Sequence, residues 1–127
     1  MTKKIKKVKT IDWKKFAKNA KQLNIFNNKI TNIIWEGCPP NLTRFYLGYN
    51  QITDMVWEGC PPGLTTIDLY ENKITKINWE GCPPSLTWIN LSNNKIIEIN
   101  WKGCPPSLTW INLGCYQITS IVWKYVP

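Results

Sequence analysis

Residues 73–94 read KITKINWEGCPPSLTWINLSNN, and the chain repeats this stretch from end to end. Trp13, Trp35, Trp57, Trp79, Trp101 and Trp123 stand 22 residues apart. Cys38, Cys60, Cys82 and Cys104 keep the same step, as do the Pro-Pro pairs that follow them. Leu42, Leu64, Leu86 and Leu108 form one leucine column, and Leu47, Leu69, Leu91 and Leu113 a second. Asn28, Asn50, Asn72 and Asn94 form a polar column. So many columns in one register make the unit a single supersecondary element, copied along the chain.

Inside the unit, Ile89 and Leu91 alternate with Trp88 and Asn90, the period of a short strand. Each copy lays one such strand beside the last, in parallel and about 4.8 Å away. Asn28, Asn50, Asn72 and Asn94 stand where the chain leaves the strand, and buried amides there would satisfy turn backbone groups. Residues 74–79 have apolar side chains at 74, 77 and 79, and residues 8–13 match them in register. That predicts second, weaker strands on the far side of each coil. Gly-Cys-Pro-Pro then reverses the chain, and its two prolines forbid a helix there. The expected fold is mainly β: a solenoid of about five 22-residue coils, with parallel strands on the concave side and short strands on the convex side.

The spacing Leu86-x-x-Ile89-x-Leu91-x-x-Asn94-x-Ile96-x-x-Ile99 matches the leucine-rich-repeat pattern. Residues 20–123 resemble the short, Pro-containing leucine-rich repeats of bacterial effector proteins. The fuller unit, with W-E-G-C-P-P-x-L-T and N-K-I-T, more closely resembles leucine-rich-repeat proteins encoded by giant DNA viruses of amoebae. FNIP repeats of the same length are a looser match, since Phe-Asn-Ile-Pro does not occur. The resemblance implies protein interaction rather than a reaction, with a host or virion protein as target. It also implies the host cytoplasm or the virion as location.

The chain divides into a lysine-rich cap with a degenerate first repeat, residues 1–29, and a solenoid continuous with it, residues 30–127. In the cap, Trp13, Phe16, Ala17 and Ala20 fall at helical spacing, and Asp12 suits an N-cap. A short amphipathic helix closing the first coil is expected, because an open solenoid end exposes core. Of the net charge of +8, residues 1–29 carry +9 and residues 30–127 carry −1. Lys3, Lys4, Lys6, Lys7, Lys14, Lys15, Lys18 and Lys21 therefore form either a solvated, solubilising cap or a contact for a polyanion. The cap holds no arginine, so a nucleic acid would be held mainly by its phosphates. At the other end Tyr125 and Val126 replace the Gly and Cys of the turn, and no polar helix follows. An uncovered strand edge there predicts a homodimer through residues 110–127, against a monomer whose last aromatics fold over the final rung.

The chain has 127 residues, 43% of them hydrophobic and only 19% charged, enough for one modest core. Its lack of histidine removes the commonest general base and metal ligand. Neither a phosphate loop nor a nucleophile motif occurs, and Glu36, Glu58 and Glu80 form a repeat ladder rather than a catalytic pair. No catalytic residue, metal or cofactor is expected. Nor is a secretory leader or a membrane span, and a cytoplasmic or nuclear-type protein is the default. The cysteine column reads as small buried hydrophobes, with a disulfide ladder as the alternative, and Cys115 as the most accessible thiol. The 22-residue Trp column reads as core cover, with a stacking platform as the alternative. The concave face varies while the other columns do not. It carries Arg44, Tyr46, Asp68, Tyr70, Trp88 and Trp110, the composition of an interface hot spot. The expected function is a non-enzymatic protein-interaction module, with electrostatic binding of nucleic acid or another polyanion as the alternative.

Overall fold

The computed structural model describes residues 7–114 and the backbone of residues 120–122. Five strands form a long parallel sheet: β1 (Gln22–Asn24), β2 (Arg44–Tyr46), β3 (Thr66–Asp68), β5 (Trp88–Asn90) and β7 (Trp110–Asn112). Three more, β4 (Lys76–Ile77), β6 (Glu98–Asn100) and β8 (Ser120–Val122), form a short parallel sheet on the other side of the coil. Every pairing joins residues one repeat apart, such as Ile67 with Ile89 and Ile77 with Ile99. The fold is therefore the expected β solenoid, with about four turns between the first and last strands of the long sheet.

The sequence explains each rung. Phe45, Ile67 and Ile89, the middle residues of their strands, are fully buried, as are Leu42, Leu64 and Leu86 and Leu47, Leu69 and Leu91. Each such leucine contributes about 1.5–3 kcal/mol relative to exposure. The reversal is two consecutive β-turns. Cys82 N–H donates to Trp79 O at 2.9 Å, and Leu86 N–H to Pro83 O at 3.1 Å. Gly81 stands in the first turn at φ +78, the position where a type II turn requires glycine.

Polar side chains stitch the rungs together. Asn72 Nδ2 donates to Leu47 O and Leu69 O, both at 3.0 Å, while its Oδ1 accepts from Ile52 N–H. Asn50 and Asn94 repeat the pattern, and all three are buried. Asn28 is exposed and bonds Phe26 O instead. The other three donate to the carbonyl 25 residues upstream, and for Asn28 that position lies outside the described residues. Thr43, Thr65, Thr87 and Thr109 each donate a hydroxyl to the carbonyl 22 residues upstream.

The tryptophan column belongs to the core. Trp57, Trp79 and Trp101 are buried and stack at 6.3 and 6.1 Å. Trp13, Trp35 and Trp57 donate their indole N–H to carbonyls of the next rung at 2.6–2.7 Å. Buried Trp79 and Trp101 Nε1 find no hydrogen-bond partner among the described residues. Phe45, where the later rungs carry isoleucine and the first carries Leu23, packs against both Trp13 and Trp35 at 5.7 Å.

The capping helix is shorter than the amphipathic spacing predicts. It is one 3₁₀ turn, Trp13–Lys15, capped by the Asp12 side chain, which accepts from Lys14 N–H at 3.2 Å. Phe16 is already extended, and Ala17 is exposed. Trp13 decides this outcome. It stacks on Trp35 at 6.2 Å and bonds Ile34 O, so the chain is held on the path of an ordinary rung. The second strands are also fewer than expected. The first three rungs run alongside one another through single bonds, such as Gln51 N–H to Ile30 O and Lys73 N–H to Ile52 O.

Candidate functional site

The strands of the long sheet alternate core and solvent, so two outward columns share its open face. The first is Gln22, Arg44, Thr66, Trp88 and Trp110, and the second Asn24, Tyr46, Asp68, Asn90 and Asn112. Trp88 and Trp110 stack with centroids 4.3 Å apart and planes within 3°. Trp110 keeps 40% of its surface exposed and Trp88 is half-buried. Arg44 is exposed, and the ion pair found among the described residues, Lys76 with Glu98 at 3.7 Å, does not involve it.

Apart from Tyr46, the second column is conformationally fixed. Asp68 Oδ1 accepts from Tyr70 N–H at 3.0 Å, and Asn24, Asn90 and Asn112 make the same bond two residues ahead. These Asx turns hold one side-chain oxygen inward and leave the other terminal atom facing out. Burial pushes the Asp68 carboxyl above its ordinary range, partly offset by the Tyr70 N–H bond.

A second aromatic group lies where the strands end. Phe26, about half exposed, meets Tyr49 edge-on at 4.9 Å, and Tyr49 meets Tyr70 at 5.2 Å with their hydroxyls 3.2 Å apart. That hydrogen bond, above all, raises the Tyr49 phenol. Phe26 and Tyr70 stand at outward positions that strand alternation predicts, whereas Tyr49 extends the set. Tyr49 occupies a column in the left-handed region, φ +54, shared with Asn27, Glu71 and Asn93. Strand alternation says nothing about where such a side chain points.

The described cap lysines, Lys7, Lys9, Lys14, Lys15, Lys18, Lys21 and Lys29, are all exposed. Lys3, Lys4 and Lys6 lie outside the described residues, as do Cys115 and most of the predicted dimer surface, residues 115–119 and 123–127. Cys38, Cys60, Cys82 and Cys104 are free and half-buried. Burial raises all four thiols, Cys104 to about 11 and Cys82 further, which makes them poor nucleophiles. Along the short sheet runs a shallow depression of ≈ 580 Å³ lined by Lys76, Asn78, Glu80, Glu98, Asn100 and Lys102. No cluster of metal-ligating side chains, and no helix long and apolar enough to cross a membrane, occurs among the described residues.

The leucine-rich-repeat domain of APL1, known from a crystal structure, is similar in fold, with a TM-score of 0.67 and 22% identity. The likeness covers 77% of this chain but only 28% of that one. No match was found among curated proteins. The Leucine rich repeat family model matches residues 40–96 and 62–115, together more than half of the chain. With its Leu, Asn and strand columns all in that register, the chain belongs to the leucine-rich repeat family.

Proposed function

We propose that this protein is a non-enzymatic protein-binding module that engages its partner through the open face of the long sheet. The observation that carries the reading is the solvent-facing Trp88–Trp110 stack in one column with Arg44, which is outside any ion pair of the described residues. Aromatic and arginine side chains on a rigid surface are where interface energy concentrates. Leucine-rich repeats generally mediate protein–protein interaction and are typically not catalysts, which supports the same reading. The W-E-G-C-P-P repeat favours a viral protein acting on a host or virion protein in the cytoplasm. Capture from host-cell lysate tests the surface. A Trp88→Ala/Trp110→Ala variant loses the bound proteins while a Lys14→Gln/Lys15→Gln/Lys18→Gln/Lys21→Gln variant keeps them. The reverse result overturns the reading.

One observation favours a second activity, polyanion binding by the cap: its seven described lysines are all exposed. Removing residues 1–7 deletes four of the ten cap lysines. It should flatten the salt dependence of random single-stranded DNA or RNA binding, by about 0.7 in log–log slope per lost phosphate contact. An unchanged slope refutes it. We also retain a homodimer through residues 110–127, which light scattering across a concentration series tests. A strict monomer at high micromolar concentration removes it.

A further inference from the structure

The outward columns of the long sheet carry side chains of unequal length, and the third rung carries the shortest pair, Thr66 and Asp68. Thr66 stands between Arg44 on one side and Trp88 on the other, in strict register. Asp68 stands between Tyr46 and Asn90 on the same three strands. Thr66 and Asp68 are shorter than Arg44, Tyr46 and Trp88, so they form the floor of a slot running across the sheet.

The dimensions of this slot follow from the strand spacing. The Trp88–Trp110 centroid separation of 4.3 Å is close to the strand step of about 4.8 Å. Their nearly parallel planes therefore stand across the solenoid axis. One face of Trp88 is covered by Trp110, and the register places Thr66, then Arg44, on the side of the other. Two strand steps, about 9.6 Å, separate the Trp88 and Arg44 backbones. A planar group in van der Waals contact on both sides needs about 7–8 Å. The slot fits one ring, and a second would not enter.

Its chemistry selects among rings. The Trp88 face offers stacking, and the Arg44 guanidinium offers a cationic plane to the opposite π face. Asp68 Oδ1 is held by Tyr70 N–H, which leaves Oδ2 as an acceptor at the floor. Asn90 Oδ1 is likewise held by Ser92, through both N–H and hydroxyl, which leaves its Nδ2 facing out. Arg44 and Asp68 cancel in charge, and the Asp68 carboxylate repels a phosphate brought to the same floor. The complementary group is a neutral aromatic ring with a hydroxyl donor on its rim.

We propose that the slot over Thr66, between Trp88 and Arg44, receives one tyrosine side chain of a protein partner, whose hydroxyl donates to Asp68. The inference rests on the reading that this face binds protein. Bound tyrosine continues the Trp110–Trp88 stack by one ring, in the place where the repeat carries threonine.

The probe is N-acetyl-tyrosinamide, titrated into the ¹⁵N-labelled full chain with the tryptophan indole N–H signals as readout. Saturable shifts of Trp88 with a millimolar Kd are expected, with N-acetyl-phenylalaninamide about three- to tenfold weaker and N-acetyl-cyclohexylalaninamide silent. Thr66→Trp fills the slot and abolishes the shifts, and Thr66→Met serves if that variant fails to fold. Asp68→Asn keeps the turn bond seen at Asn24, Asn90 and Asn112 but removes the carboxylate acceptor, so tyrosine and phenylalanine probes bind within about twofold of each other. Shifts that do not saturate, that survive filling of the slot, or that are stronger for uridine or adenosine monophosphate overturn the proposal. Should the probes fail while capture of protein still depends on Trp88 and Trp110, the slot is wrong and the broader surface reading stands. Loss of both refutes both.

Discussion

Gly63 is the sharpest test of how the rungs are tied. Its column carries Ser85 and Ser107 in the next two repeats. Ser85 donates its hydroxyl to Pro62 O and Leu64 O, both at 2.8 Å, and Ser107 donates to Pro84 O and Leu86 O. Shifted back one repeat, the equivalent acceptors for a serine at 63 are Pro40 O and Leu42 O, which the hydroxyl meets after a small closing of the rungs, since neither lies within 4 Å of a Cβ at Gly63. The site accepts it. A Cβ at Gly63 has nothing within 4 Å, and Gly63 is not among the glycines at positive φ. Leu64 N–H closes its turn onto Pro61 O at 3.2 Å, as Leu86 closes onto Pro83 at 3.1 Å. Replacing glycine where the backbone is ordinary stabilises by about 0.4–1 kcal/mol through the unfolded chain. One hydroxyl shared between two carbonyls adds about 0.5–1.5 kcal/mol. Gly63→Ser should therefore stabilise by about 1–2 kcal/mol, an increase in Tm of about 3–8 °C for a chain of this size. Gly63→Ala isolates the backbone share and should give about half. Thermal and urea melts of the three proteins decide it. A serine no better than alanine refutes the hydrogen bonds, and a destabilising alanine refutes the assigned backbone conformation.

Asn72→Ala leaves the Ile52 N–H without its side-chain acceptor and removes one of two asparagine donors from Leu47 O and from Leu69 O, which keep Asn50 and Asn94. It should cost about 1–3 kcal/mol in a urea melt. A near-neutral midpoint refutes the ladder. Glu71→Asn relieves a left-handed residue at φ +54 in a column where Asn27 and Asn93 already stand, and should stabilise by about 1 kcal/mol by the same measurement. Asp68→Asn keeps the turn bond and removes a carboxyl whose ionisation the fold disfavours, because burial raises its pKa. The folded state binds that proton more tightly, so the native contribution is full below the unfolded pKa and is lost as pH rises through the folded one. The variant should be more stable than wild type at pH 7, and the advantage should vanish on acidification. A pH-independent difference refutes the assigned cause.

The rungs were legible because the repeat supplies its own alignment. Leu69, Ile67 and Asn72 are identified by what stands 22 residues away, and no propensity argument is needed. The cap misleads for the same reason. Trp13, Phe16 and Ala20 fit helical spacing, but they also lie one repeat before Trp35, Cys38 and Leu42. One set of residues satisfies both patterns, and tertiary packing of Trp13 selects the rung. The face residues Arg44, Trp88 and Trp110 could be placed from alternation alone. The partnership of Tyr49 with Phe26 and Tyr70 could not, since it depends on a left-handed backbone. Likewise the Asp68 turn bond depends on a side-chain rotation that sequence spacing does not encode.

The stitching between rungs has a direction. Asparagine, threonine and serine reach back to the preceding copy, whereas the indole N–H of Trp13, Trp35 and Trp57 reaches forward to the next. Excising or duplicating one 22-residue unit therefore creates only junctions of a kind the chain already contains. Unequal exchange between tandem copies could lengthen or shorten the gene in whole units without a folding penalty at the seam. The same event would reshuffle which side chains stand next to one another on the open face. Deleting the copy that contains Thr66 would bring Arg44 directly against Trp88 and erase the slot. Specificity in such a chain can thus turn over by recombination while architecture is inherited unchanged.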